Sequence, residues 1–157
     1  TVDPGTSNYT IWSAPLSVGQ RSVWFKGATF RIIGSAPADA LSNVRLLVDG
    51  SQVGSTSSIS SAGTVSFDAS AAPVALGTGS HTIEVRADVV GGANRSFYAS
   101  IQNAGDLMLE DSQYHVNVAL ASGTVGTAFT MNNSVTIAIN QGTLSLTRCA
   151  WDIRPGS

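Results

Sequence analysis

The segment from His81 to Val89 places the tightest bound on what this chain can become. His81, Ile83, Val85, Ala87 and Val89 fall on one side of an extended backbone, and Thr82, Glu84, Arg86 and Asp88 fall on the other. A slip of one residue would bury four polar or charged side chains. The alternation therefore predicts an antiparallel strand with one face on a core and one in water. The same period of two recurs in Val44-Arg45-Leu46-Leu47-Val48, which runs into Asp49-Gly50 and returns through Ser51-Gln52-Val53-Gly54-Ser55. An Asp-Gly pair between alternating runs is a strong hairpin signal, because both residues tolerate positive φ. Thr64 to Asp68 alternates as well.

Further strands are predicted from Val23 to Ile33, with Gly27 as a bulge, from Arg95 to Gln102, from Leu107 to Leu109, and from Tyr114 to Ala121. Phe129 to Ile139 and Gly142 to Arg148 complete the set. The best helical window, Ala36 to Leu41, is short and follows proline and alanine, so it predicts one turn at most. Frequent strands without helical crossovers predict an all-β fold, an antiparallel β-sandwich of about 8–10 strands with room for an extended terminal strand. A chain of 157 residues suits one such domain. Residues 1–22 are expected to form an N-terminal arm or first strand, residues 23–140 the sandwich, and residues 141–157 a C-terminal strand or tail.

Charge narrows the partners. Only 11% of residues are charged and the net charge is −2, with Lys26 the sole lysine and the seven arginines scattered. Nucleic acid and anionic membrane surfaces need a clustered basic footprint that this sequence does not offer. No apolar run reaches the length that spans a bilayer, and no leader opens the chain. A secreted form is then expected to have lost its leader or to carry it upstream, with Thr1 a processed start or a point within a longer polypeptide. The single cysteine, Cys149, cannot make an internal disulfide, so packing and ladder hydrogen bonds must hold the fold.

Three stretches carry a resemblance: Ala28-Thr29-Phe30-Arg31-Ile32, then Leu41 through Asp49-Gly50 to Val53-Gly54, then Gly79-Ser80-His81-Thr82-Ile83-Glu84-Val85-Arg86-Ala87-Asp88. Over roughly residues 28 to 120 the chain resembles the immunoglobulin-like modules of large bacterial and archaeal cell-surface, adhesion and filament proteins. Such modules show a strand ending in VDG, a return strand with VG, and a later GxHTIxVxAD pattern. The resemblance implies an extracellular, non-catalytic structural role as a spacer, adhesive unit, surface-layer unit or filament subunit. It implies fold more sharply than function.

The ends of the chain lie outside that likeness. Val135 to Ile139 and Leu144 to Thr147 alternate well around Asn140-Gln141-Gly142. The plainer arrangement folds the last strand back onto its own sheet. In the other, Gly142 to Trp151 leaves the body and adds to an open edge of a neighbouring copy, building a homo-oligomer or polymer. Leu144, Leu146 and Trp151 would then be the knobs of the added strand, with Trp12 a partner near the opposite end.

Chemistry is sparse. His81 and His115 lack a cysteine or second histidine at ligand spacing, so they read as strand histidines and not zinc ligands. Thr147-Arg148-Cys149-Ala150-Trp151 matches no nucleophile motif, and Cys149 reads as a buried or edge thiol, with an intermolecular disulfide the alternative. No Gly-x-Ser-x-Gly elbow and no glycine-rich loop opening a helix occurs, so no catalytic residue and no cofactor are expected. Asp106, Glu110 and Asp111, with Asn103 able to add an oxygen, are the calcium candidates, but they supply few of the six to eight oxygens calcium takes. Trp12, Trp24 and Trp151, with Tyr9, Tyr98 and Tyr114, raise the rival reading of a glycan-binding or adhesin module, whose flat sugar ligands stack on exposed rings. Trp24 and Phe25 are adjacent in a strand, so at most one of them enters a given core. Sequons at Asn8, Asn94 and Asn132 are glycosylation candidates where the machinery exists.

Overall fold

The computed structural model describes residues 1–119, 121 and 131–141. Twelve strands are assigned there: β1 (Tyr9–Val18), β2 (Val23–Gly34), β3 (Leu41–Val48), β4 (Ser51–Ser57), β5 (Thr64–Asp68), β6 (Val74–Leu76), β7 (Gly79–Val89), β8 (Ser96–Ile101), β9 (Leu107–Asp111), β10 (Asn117–Val118), β11 (Asn132–Asn133) and β12 (Ile137–Ala138). The helical content among the described residues is two 3₁₀ turns, Ala38–Ala40 and Ala104–Asp106. The protein is all-β with antiparallel sheets, as the alternation predicts.

The strands form two sheets. The smaller has the order β1-β7-β3-β4. The larger is built around β2, which is flanked on one side by β6 and then β5, and on the other by β9 and then β8. Beyond β9 lies β10, and beyond β8 lie β11 and β12. Each flank of β2 is thus one column of chain broken into two strands. The break between β8 and β9 is the Ala104–Asp106 turn, where the Asp106 carboxylate accepts from the Gln102 and Asn103 backbone N–H groups at 3.1 and 2.9 Å. These breaks raise the strand count above the expected eight to ten.

Both sheets contribute to one core. Ile11, Val44, Leu46, Ile83 and Val85 come from the smaller sheet and Phe25, Phe30, Val65, Phe97 and Ile101 from the larger, all at most 2% exposed. Trp12 meets Phe30 edge to face at a centroid distance of 5.0 Å, and Phe30 meets Phe67 at 6.3 Å. Such aromatic pairs add about 0.5–1.5 kcal/mol to their area burial.

Register shifts explain where the period of two breaks: two involve β3, between Ser42 and Arg45 against β7 and between Val44 and Leu46 against β4, and one falls in each of β1 and β2. In β1 the register shifts between Thr10 and Trp12, so the neighbours Ile11 and Trp12 are both buried. In β2 it shifts between Phe25 and Gly27, at the glycine expected to interrupt the strand. A Cβ at Gly27 would lie 2.3 Å from the Phe67 carbonyl oxygen and 2.7 Å from Met108 Cε, so the close approach demands glycine. At the β3–β4 hairpin Asp49 has φ 50° and Gly50 φ 82°, the two positive angles that the Asp-Gly pair predicts.

Two expected strands pair over shorter stretches among the described residues. Among the described residues from Tyr114 to Ala121, only Asn117–Val118 pairs. The Asp111 carboxylate accepts from the Gln113 and Tyr114 backbone N–H groups at 2.8 and 2.9 Å, and His115 takes φ 54°, so the chain turns where alternation predicted extension. Between 131 and 139 the ladder on β8 is interrupted at Ser134, whose N–H donates to the Ala99 carbonyl while its Oγ accepts from the Ala99 N–H. The expected strand from Gly142 to Arg148 lies outside the described residues.

The first residues close onto the last described ones. Val2 forms a parallel bridge with Ile139, its N–H donating to the Ala138 carbonyl at 2.9 Å and its carbonyl accepting from Asn140 N–H at 2.8 Å. Asn140 Nδ2 also donates to Asp3 Oδ1 at 2.7 Å. Val2 and Ile139 are both buried, so this clasp joins the core.

Candidate functional site

Three groupings of polar and aromatic side chains stand on the surface, and the strand registers fix each. The first is a row across the outer face of the larger sheet. Because Val23 and Phe25 turn inward, Trp24 turns outward and is 37% exposed. Its partner on β6 is Ala75, its partner on β9 is Glu110, and the partner of Glu110 on β10 is Asn117. Directly opposed residues share a face, so Ala75, Trp24, Glu110 and Asn117 form one line on four strands.

Glu110 is held from two sides. Lys26 Nζ donates to Glu110 Oε2, and His115 Nδ1 lies 3.0 Å from Oε1. These two contacts, that of Lys26 first, hold the Glu110 carboxyl below the usual carboxylate range. Beside the row, the Arg21 guanidinium stacks over the Tyr114 ring at 4.7 Å, and Met108 is 43% exposed.

The second grouping lies on the smaller sheet. Arg45 donates through Nη2 to Asp88 Oδ1 at 2.6 Å and through Nη1 to Asn8 Oδ1 at 3.1 Å. Asp88 also accepts from Asn43 Nδ2 and from the Asn8 backbone N–H, each at 2.8 Å. Those donors, Asn43 foremost, depress the Asp88 pKa. The third is at the β3–β4 turn. His81 Nδ1 lies 2.6 Å from Asp49 Oδ2 and Nε2 lies 2.7 Å from the Gly77 carbonyl oxygen. Two acceptors face the two ring nitrogens, and only the imidazolium can donate to both. The Asp49 hydrogen bond, followed by the Gly77 carbonyl, raises the His81 pKa, and His81 in turn lowers that of Asp49.

Four of the candidates from the sequence, Trp12, Asp106, Glu110 and Asp111, take structural places. Trp12, expected as an assembly contact, is 3% exposed with its ring in the core, so it cannot offer a surface to a neighbour. The calcium cluster does not assemble. Asp106 closes the turn just before β9 and Glu110 and Asp111 lie at the strand's far end, about 13 Å or more along the chain. Each carboxylate already has donors of its own: Asp106 the turn N–H groups, Glu110 Lys26 and His115, and Asp111 the Gln113 and Tyr114 N–H groups. Among the described residues no group of three or more His, Cys, Asp or Glu side chains is placed to hold a metal.

Asn8, Asn94 and Asn132 are exposed, the first two at positive φ and the third in β11. Leu144, Leu146, Cys149 and Trp151 lie outside the described residues. The row at Trp24 was missed. Its signal was available in the Trp24-Phe25 adjacency, once Phe25 is assigned inward, but pairing partners 51 and 86 residues away are not readable from local alternation.

An open hollow beside the Ala38–Ala40 turn is lined by polar side chains such as Asp39, Asn43 and Thr56 together with the apolar Leu41 and Ile59. No protein-family description, curated protein or solved structure matches the chain. No helix among the described residues is long and apolar enough to cross a membrane.

Proposed function

We propose that this chain is a non-catalytic structural module of the cell surface, immunoglobulin-like in its strand order, that assembles with further copies through strand edges. The order of β2 to β7 supports the immunoglobulin-like part. If β2, β3, β4, β5 with β6, and β7 are matched to strands B, C, C′, E and F, the pairings among these strands are those of that fold. The outermost places are exchanged: β1 stands beside β7, where G would be, and β8 with β9 stands beside β2, where A would be.

The observation that carries assembly is the pair of edges of the smaller sheet. Among the described residues β1 pairs with β7 alone and β4 with β3 alone. An edge strand offers a row of backbone donors and acceptors to another chain. Proline at position 15 blunts β1, whereas β4, Ser-Gln-Val-Gly-Ser-Thr-Ser, carries neither proline nor charge. A strand with the alternation of Leu144 and Leu146 supplies the complementary partner, and β4 is its receiving edge.

Analytical ultracentrifugation and negative-stain microscopy test this directly. The wild type is expected to form polymers or oligomers at high concentration, and Leu144→Asp with Leu146→Asp to yield a folded monomer. Lysines placed on β4 at Ser51 and Ser55 should give the same monomer, because edge charge opposes strand addition. A wild type that stays monomeric, or polymers indifferent to both sets of changes, overturns the reading.

A further inference from the structure

We propose that the row Ala75–Trp24–Glu110–Asn117 on the outer face of the larger sheet is a binding site for an uncharged polysaccharide, with one sugar ring stacked on Trp24. The site is independent of the strand edges invoked for assembly, since it occupies a sheet face.

A sugar ring has an apolar C–H face and a rim of hydroxyls, and the row presents the matching sequence of groups. Trp24 supplies an exposed aromatic surface, and Ala75, the smallest side chain in the row, leaves the adjoining strand position low. The next two outward positions are a carboxylate, Glu110, and a primary amide, Asn117. Together they accept from and donate to hydroxyls. Trp24 to Asn117 spans two strand spacings, about 10 Å, which suits consecutive rings of an extended chain more than a single free sugar.

The charges point to the class of ligand. Lys26 is paired with Glu110, and Arg21 lies 4.0 Å from Asp111. With opposite charges matched in pairs, the face has no excess of either sign to attract a polyanion or polycation. Glu110 is also ordered before any ligand arrives, because Lys26 and His115 grip both of its oxygens. A preordered acceptor beside an exposed indole loses little freedom on binding. The outer face of the smaller sheet differs, since Glu84 pairs with Arg86 and Arg45 with Asp88, and of the aromatic residues of its strands Trp12 is buried and Tyr9 packs partly buried against the core.

Affinity electrophoresis of the full chain through gels containing hydroxyethyl cellulose, xylan, soluble β-1,3-glucan or glycol chitin tests the proposal. At least one of these polymers is expected to retard the wild type. Trp24→Ala should weaken that retardation about tenfold. Trp24→Phe should keep part of it, and Asn117→Ala and Glu110→Gln should each weaken it severalfold. Trp24 is on the surface, so circular dichroism of Trp24→Ala should match the wild type; if it does not, Asn117→Ala carries the test. Migration unchanged by all four polymers, or retardation unaffected by these substitutions, overturns the proposal. So does loss of self-association in Trp24→Ala without any sugar effect, which would make the face a protein contact.

Discussion

The two sheets share one interior yet differ in how they are made. The smaller consists of unbroken strands, β1 of 10 residues and β7 of 11 among them, with its register shifts confined to β1, between Thr10 and Trp12, and to the pairings of β3 near Asn43 and Arg45. The larger has one long strand, β2, flanked by columns broken at Ala69 to Pro73 and at the Ala104–Asp106 turn. Their outer faces differ in step. The continuous sheet displays charged pairs that satisfy one another, and the broken one displays Trp24 and Met108 among fixed polar groups. Unbroken strands hold their charged neighbours in mutual pairs, while the broken columns set residues from separate chain segments side by side on one face.

The largest expected effect tests whether the sheets are one cooperative unit. Phe30 belongs to the broken sheet but touches Trp12 of the continuous one. Phe30→Ala should destabilise by about 3–5 kcal/mol, read from urea midpoints, and should shift Trp12 fluorescence in the native state. Sheets behaving as separate layers would leave Trp12 undisturbed. A related contrast is available at Trp12 itself, whose buried Nε1 has no hydrogen-bond partner among the described residues. Trp12→Phe should therefore be far milder than Trp12→Ala.

Next comes the backbone. Gly27→Ala in the broken sheet drives a Cβ against the Phe67 carbonyl and should destabilise by about 2–3 kcal/mol. Gly50→Ala in the continuous sheet meets nothing within 4 Å and suffers only from its φ of 82°, an effect of about 1 kcal/mol. Equal midpoints for the two variants would erase the distinction between a glycine chosen for space and one chosen for angle.

Smaller effects probe the charged face. Asp88→Ala strands Arg45, Asn43 and the Asn8 N–H and should cost about 1–2 kcal/mol at neutral pH. Since the folded Asp88 pKa lies below 3.8, its contribution is present above that value and is lost as pH falls through the depressed folded pKa. Denaturation curves of wild type and variant should converge in strong acid.

The smallest effect has the opposite sign. The folded His81 pKa is raised above 6.5, so its contribution is full below that value and is lost as pH rises through the folded pKa. His81→Gln should flatten the decline in stability on the alkaline side of 6.5. A decline that is unchanged in the variant would remove His81 from its cause.

Legibility followed the same division. The Asp49-Gly50 hairpin, the dry and wet faces of β7 and the bulge at Gly27 were all readable, because each depends on residues near one another in sequence. The shortening of Tyr114 to Ala121 was not, since the Asp111 carboxylate captured N–H groups that the alternation assigned to a ladder. Trp12 belonged to the readable set: Trp12, Ala14, Leu16 and Val18 alternate inward along β1, a pattern that argues for core and against a docking role. The row at Trp24 demanded the register of four strands drawn from separate parts of the chain, and no local pattern encodes that.

The Val2–Ile139 bridge has a mechanical consequence. Two parallel segments, pulled from the leading end of one and the trailing end of the other, slide past each other, so their bonds share the load and do not unzip one at a time. Tension between Thr1 and Gln141 would meet the two backbone bonds of this bridge side by side before it reached the sheets.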